Sequence, residues 1–203
     1  MSIETILPDI VTGAGIELDA AERNVNSTNK HMRQLVSLMN QAGQDIVKRA
    51  EWSRAYAELT IAANVTQIDL PTDYYKLAET GAIRLSNQGG YAPVRIIVEP
   101  ASWAFIKDTE SVQPYAHIAN GKLYFHPDSG ITGGSMTYVK KGWLTNGSEF
   151  VAANSDQPIF PEQLLLSSVL WRWNRQRGLP YDDLAAEFEA NFTAAINADR
   201  GVA

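Results

Sequence analysis

The chain contains no cysteine. That removes disulfides, thiolate zinc sites, iron–sulfur clusters and cysteine nucleophiles from consideration. Histidine is nearly as scarce, with 3 residues in 203. Long apolar runs are missing too, since no stretch reaches the roughly 18 residues that span a bilayer. The opening MSIETILPDIVTG has no basic segment ahead of an apolar one, so no signal peptide is expected. The glycosylation sequons at Asn26, Asn64, Asn146 and Asn191 are then read as chance. Positive charge is short: 17 Lys and Arg face 23 Asp and Glu, for a net charge of -6. Such a chain is a poor free-standing binder of duplex nucleic acid, which needs clustered cations to displace counterions.

The familiar signatures of catalysis are absent as well. GAGIEL, with Gly13 and Gly15, lacks the third glycine of a dinucleotide fingerprint, and no strand precedes it. No GxxxxGK phosphate loop and no GxSxG nucleophile turn occur. Acids cluster at Asp182, Asp183, Glu187 and Glu189. They are best read as complementing a helix dipole and solvating its outer face, although Asp183 and Glu187, one turn apart, are spaced for a cation or for acid–base work.

What is present is enough apolar residue, 45% of the chain, for a real core. The length suits one domain, or a core plus an inserted module. Residues 1–27 are polar and glycine-containing, with one short apolar patch at Ile6, Leu7, Ile10 and Val11. They are read as an N-terminal extension. A helix is expected from about Ser27 or Thr28, either of which can cap it, to about Ala50. Its stripe is Leu35, Leu38, Met39, Ala42, Ile46 and Arg49 at 3.6 spacing. From about 56 to 150, glycine and proline punctuation, β-branched runs and alternation read as short strands, as in LTIAANVTQIDLP, YAPVRIIVEP and GSMTYVKKGWL. Helix returns after Phe160. PEQLLLSSVLWRWNRQRG opens near Pro161 and stops on Gly178, with Leu166, Val169, Leu170 and Trp173 as its inner face. A last helix follows Pro180, with Leu184, Phe188, Phe192, Ala195 and Ile196 on one face. The expected class is α+β: an N-terminal amphipathic helix, a central antiparallel β module and a C-terminal helical hairpin.

Two stretches stand out as possible sites. HIANGKLYFHPD holds two of the three histidines around Asn120-Gly121, a step that favours a two-residue type I′ turn. Pairing across that turn sets Ala119 against Lys122, His117 against Tyr124 and Tyr115 against His126. These side chains share an aromatic, polar and wetter face, while Ala116, Ile118, Leu123 and Phe125 point to the core. His117 and His126 are then diagonal neighbours, roughly 7–8 Å apart at the backbone. They would need a third ligand, for which Asp128 is the nearby candidate, to hold a metal. No HxxxH or HxxE spacing supports this, so a structural hairpin is the preferred reading.

WRWNRQR places Trp171 four residues before Arg175 and Trp173 four before Arg177, spacings at which each pair can stack. Trp173 lies on the apolar stripe and is expected in the core, which leaves Arg172 and Arg175 on an exposed ridge. Three readings stay open for this stretch: core with a solvated ridge, a protein interface anchored by Trp and Arg, or a surface for single-stranded nucleic acid.

Four passages together resemble the head-to-tail adaptor proteins of tailed bacteriophages, of the podovirus type similar to tail tubular protein A. They are the N-terminal helix running into RAEWSRAYAELTI; IDLPTDYYKL; IANGKLYFHPDSGITGGSMTYVKKGWL; and FPEQLLLSSVLWRWNRQRGLPYDDLAAEFEANFTAAI. They cover most of residues 28–198, and their order and spacing carry the likeness. The resemblance implies a single adaptor domain over 28–198, its β module at about 56–150, and a C-terminal tail at 199–203.

It further implies a structural virion protein with no enzymatic activity and no cofactor. Such adaptors form a ring, commonly of twelve copies, below the portal. The partners implied are the portal ring, a tail or nozzle protein and further copies of the chain. DNA passes through the lumen without sequence-specific binding, and no membrane is involved. The location implied is the head–tail junction of the virion, with assembly in the host cytoplasm. Candidate interface residues are Trp171, Arg172, Arg175, Arg177, Tyr115, His117, Tyr124, His126, Asp199 and Arg200. The loops near Gly89-Gly90 and from Gly130 to Gly134 are candidates for contact with the tail or with neighbouring copies. The segment Asn197 to Ala203 is a candidate portal-docking peptide. The alternatives are a small nucleic-acid or carbohydrate binding module and, behind it, a hydrolase using His117 and His126.

Overall fold

The structure is a computed structural model. It describes residues 2–79, 83–87, 90–111, 113–127 and 131–201. The chain divides into two compact units. A helical unit takes the residues up to Ala55 and those from Lys141 on, and a β unit takes Tyr56–Lys140.

The helical unit contains α1 (Ile3–Gly13), α2 (Lys30–Arg49), α4 (Glu162–Arg177) and α5 (Asp182–Asp199). Helix α1 lies in the stretch read as a polar extension. The patch noted there is one face of this helix: Ile3, Ile6, Leu7, Ile10 and Val11 are all buried, and the helix packs on α4. The start of α1 is held by the loop before α4, where Ile3 N and Glu4 N donate to the carbonyls of Asp156 and Asn154 at 2.8 Å each. These bonds satisfy amides that have no partner inside the helix.

Helix α2 buries the expected stripe, Leu35, Leu38, Met39, Ala42 and Ile46. Its cap is Asn29, one or two residues later than expected; the Asn29 side chain accepts from His31 N at 2.9 Å. The Ser27 hydroxyl accepts from Asn29 N, ahead of the first helical amides, and so shapes the approach instead. Helix α4 ends on Gly178 with φ of 69°. Its buried face is Leu164, Leu165, Ser168, Val169 and Trp173, while Leu166 and Leu170 are half-buried. The inner face is therefore turned by about a residue from the one expected. On α5 the expected apolar face holds, with Phe188 and Phe192 buried and Leu184, Ala195 and Ile196 half-buried.

Aromatic rings bind this unit together. Trp52 packs on Phe160 and Phe192 at centroid distances of 5.7 and 6.1 Å, and Trp143 stacks on Phe160 at 6.0 Å. Trp143 belongs to the segment 141–150 that was read as part of the β module but folds with the helices. Its indole lies flat on Gly43 of α2; a Cβ there would stand 2.3 Å from the ring, so glycine is required for the approach.

The β unit holds two sheets and one helix. The first sheet is antiparallel, in the order β1 (Tyr56–Ile61), β9 (Gly134–Lys140), β4 (Ile83–Asn87), β5 (Gly90–Pro93), with β3 (Tyr74–Leu77) also paired to β9. The second has the order β2 (Gln67–Asp69), β8 (Lys122–His126), β7 (Tyr115–Ala119), β6 (Arg95–Ile96). Its β6–β7 pair is parallel, a departure from the antiparallel arrangement expected. Parallel pairing requires a crossover connection, and helix α3 (Pro100–Lys107) lies within it. Ile61, Ile83, Leu85, Ala116, Leu123, Phe125 and Met136 form the core between the sheets. Among the described residues no helix is long and apolar enough to cross a membrane.

Candidate functional site

The hairpin register is the expected one: His117 opposes Tyr124, Tyr115 opposes His126 and Ala119 opposes Lys122. Asn120 and Gly121 have φ of 52° and 72°, the two left-handed residues of a type I′ turn. Ala116, Leu123 and Phe125 are buried as predicted.

The opposite face is not the open, wet surface expected. Helix α3 covers it. Trp103 stacks on the His117 ring at 5.2 Å with an 18° interplanar angle, and meets His126 edge-on at 6.5 Å. His117 is only 5% exposed. Its Nδ1 lies 2.7 Å from the carbonyl of Ile97, and His126 Nε2 lies 3.1 Å from that of Thr109. Facing a carbonyl oxygen, each of these ring nitrogens serves as an N–H donor, and the two contacts bracket the crossover chain that carries α3. Tyr115 and Tyr124 are half-buried. Asp128, the suggested third ligand, and Gly89 and Gly130 of the suggested contact loops lie outside the described residues. Among the described residues no group of three His, Asp or Glu is placed to hold a metal ion.

The WRWNRQR helix is also drawn inward. Trp173 is buried as expected and donates through Nε1 to the carbonyl of Ala14 at 3.0 Å. Arg177 stacks over its ring at 4.4 Å, as the four-residue spacing predicts. The other predicted stack is replaced: Arg172, not Arg175, lies over Trp171, at 4.2 Å. Nor is Arg172 on a solvated ridge. Its side chain is 14% exposed and pairs with Asp45 of α2 at 2.8 Å. It also donates to the carbonyl of Ser168 and to its hydroxyl. Burial lowers the Arg172 pKa, and the charge and hydrogen bond of Asp45 act against that. Arg175 and Arg177 remain exposed.

The proposed docking tail is partly helix. Asn197, Ala198 and Asp199 complete α5, and Asp199 accepts from Ser53 N and Ser53 Oγ at 2.7 and 2.8 Å. Arg200 and Gly201 follow it, exposed. A second tie holds α5: Arg49 pairs with both carboxylate oxygens of Glu189, at 2.9 and 2.5 Å, and lies 4.2 Å from the Phe192 centroid. The hydrogen bond from Arg49 holds the Glu189 pKa below the ordinary carboxylate value.

The sequence reading missed α3, with Trp103 facing the histidines and Val98 and Phe105 exposed beside it. A signal was available. Pro100 stands at the first helical position, and the following residues carry no β-branch before Ile106.

Both surfaces are packing arrangements with exposed margins. No curated protein matches the chain. The model of the SU10 adaptor protein family matches residues 7–202, a span that takes in every helix and strand except the first turn of α1. The likeness of the four passages to phage head-to-tail adaptors is thereby borne out, and the chain belongs to the SU10 adaptor protein family.

Proposed function

We propose that this chain is a structural virion protein that forms a ring below the portal, extends the DNA channel and offers a docking surface to the tail. The observation that carries this reading is the match to the adaptor family over residues 7–202. Twelve copies is the number the resemblance suggests. A ring needs heterologous contacts, with two different faces on each copy, and the helical and β units supply two chemically distinct surfaces. The partners are the portal ring, a tail or nozzle protein and further copies of the chain. The site of action is the head–tail junction, after assembly in the host cytoplasm, and the role is non-enzymatic. A net charge of -6 suits a lumen through which DNA slides without being gripped.

The C-terminal residues are proposed to dock on the portal. Because Asp199 is tied to Ser53, truncation from Arg200 onward is the clean variant: it keeps α5 and its ties. It should weaken portal docking with unchanged thermal unfolding; equal docking would discard this part of the reading. The reading as a whole is tested by immunogold electron microscopy of tailed particles with antibody to this chain. Gold at the single tail-bearing vertex is the expected result. Particles unlabelled at every site, including after the tails are stripped, would overturn it.

A further inference from the structure

One strand edge of the β unit is open. In an antiparallel strand each residue turns its N–H and C=O to one side, and the next residue turns them to the other. Ala78 N and Ser86 N donate to the carbonyls of Thr137 and Gly133 at 3.2 and 2.8 Å. Thr137 therefore faces the side of β9 that carries β3 and β4, and Met136 and Tyr138 face β1. Opposite these two stand Leu59 and Ala57. Leu59 and Ala57 spend their backbone groups on β9, so Glu58 and Thr60 turn theirs outward, where no strand is paired to β1. Among the described residues, the outward N–H and C=O of Glu58 and Thr60 have no hydrogen-bond partner, and the Glu58 carboxylate has no ion pair.

The other edges are guarded. Val94 N donates to the carbonyl of Ile83, so β5 turns Pro93 outward, and proline has no N–H to offer. Strand β6 has two residues. Strand β2 has three, and its acid Asp69 is paired with Lys122. Strand β1 has six residues, an unbroken register, no proline and one charge, that of Glu58. Short length, proline and bulges are what keep an edge from accepting another chain, and β1 has none of them.

We infer that the outer edge of β1 is completed by an extended segment of a different protein, apolar at alternate positions and carrying a lysine or arginine opposite Glu58. The backbone groups call for a strand. Ala57 and Leu59 pack on the core between the sheets yet stay half-buried, so an apolar row beside them extends that core. The exposed Glu58 carboxylate selects a cation across the new pair. It also disfavours a second copy. In every register that joins β1 to β1 of another copy through Glu58 and Thr60, the two Glu58 side chains stand directly opposite or on the near diagonal, where like charges repel. The inference rests on the proposed role for where this partner is met, at the head–tail junction.

Thr60→Pro is the variant that isolates the edge. It removes an N–H that β9 does not use, and proline is tolerated where a strand's N–H faces outward. Thr60→Val keeps that N–H. Each full-length variant replaces the native chain during particle assembly. Hydrogen exchange of the Glu58 and Thr60 amides is read by mass spectrometry with electron-transfer fragmentation, in the isolated native chain and in connectors released from tailed particles. The expected result is fast exchange of both amides in the isolated chain and severalfold slower exchange in the connector. The yield of tailed particles should fall severalfold with Thr60→Pro and hold with Thr60→Val. Glu58→Lys should lower it as well; an unchanged yield would strike the cation from the partner's description. Fast exchange in a connector that contains the chain, or a normal yield with Thr60→Pro, overturns the inference and leaves the adaptor role standing. Slow exchange in the isolated chain that vanishes on dilution would make a second copy the occupant and overturn this choice of partner. If circular dichroism shows Thr60→Pro unfolded, the exchange measurement decides alone. A chain absent from tailed particles would overturn the role and this inference with it.

Discussion

The two units treat their aromatic residues differently. The helical unit turns Trp52, Trp143, Phe160, Phe188 and Phe192 inward, where they touch one another in a continuous series between α2, α4 and α5. The β unit covers the aromatic face of its hairpin with one eight-residue helix, through one tryptophan, and leaves Phe105 and Val98 to solvent. The first unit packs this aromatic series inside while leaving Phe150 and Leu179 exposed. The second has a covering layer one helix thick whose outer side is still apolar. The contrast is one of how deeply the aromatic residues are packed, and it can be broken or sharpened by experiment.

The largest effect is expected from Trp143→Ala, which empties a fully buried site facing Gly43. It should cost about 3–5 kcal/mol, read by urea unfolding followed at 222 nm. A cost near zero would show that the aromatic series does not hold the helical unit. On the β unit, burial, followed by the hydrogen bond to Asp73 and its charge, pushes the Tyr138 phenol up to about 12 from 10.0. Its folded pKa is raised, so the stability it contributes is present below pH 10 and is lost as pH rises from 10 towards 12. The loss should be on the order of 1–3 kcal/mol, seen as an alkaline fall in melting temperature that Tyr138→Phe flattens.

Asp45→Ala leaves the mostly buried Arg172 guanidinium without its carboxylate and should cost about 1–2 kcal/mol by the same urea measurement. Trp103→Ala should cost about 1–2 kcal/mol in β-unit stability, the value of a stacked pair plus partial burial, and should expose His117 to solvent. Proton exchange at the His117 ring, followed by NMR, reads that exposure directly; an unchanged rate would mean α3 is not its cover.

The smallest effect is on the acid side. The folded pKa of Glu189 is depressed, so its contribution is present above the ordinary value of 4.5 and is lost as pH falls below it. The carboxylate is about half exposed, so solvent limits the effect to about 0.2–1 kcal/mol. Glu189→Gln should remove that acid dependence; a variant that keeps it would assign the acid loss to other carboxylates.

Much of the architecture could be read directly. The stripe on α2, the stop at Gly178, the apolar face of α5 and the whole register of the β7–β8 hairpin follow from spacing and turn chemistry. The likeness to adaptors followed from the order of four such passages. What could not be read was coverage. The sequence marked His117 and His126 as lying on one face, and they do, but that face is roofed by α3. The sequence put Arg172 on a ridge, and there α2 brings Asp45.

The division has one physical cause. Periodicities of 2 and 3.6 residues, and the left-handed backbone of Asn120-Gly121, act within a few residues, so the chain by itself determined the elements and their inward sides. The partners that decided each candidate site lie far along the chain: Ile97 is 20 residues from His117, and Asp45 is 127 from Arg172. Which outward side meets another element depends on long-range packing that no local period records. Only the tertiary structure could therefore show that the two histidines are held by backbone carbonyls, that Arg172 is spent on α2, and that Phe105 and Leu179 are left exposed.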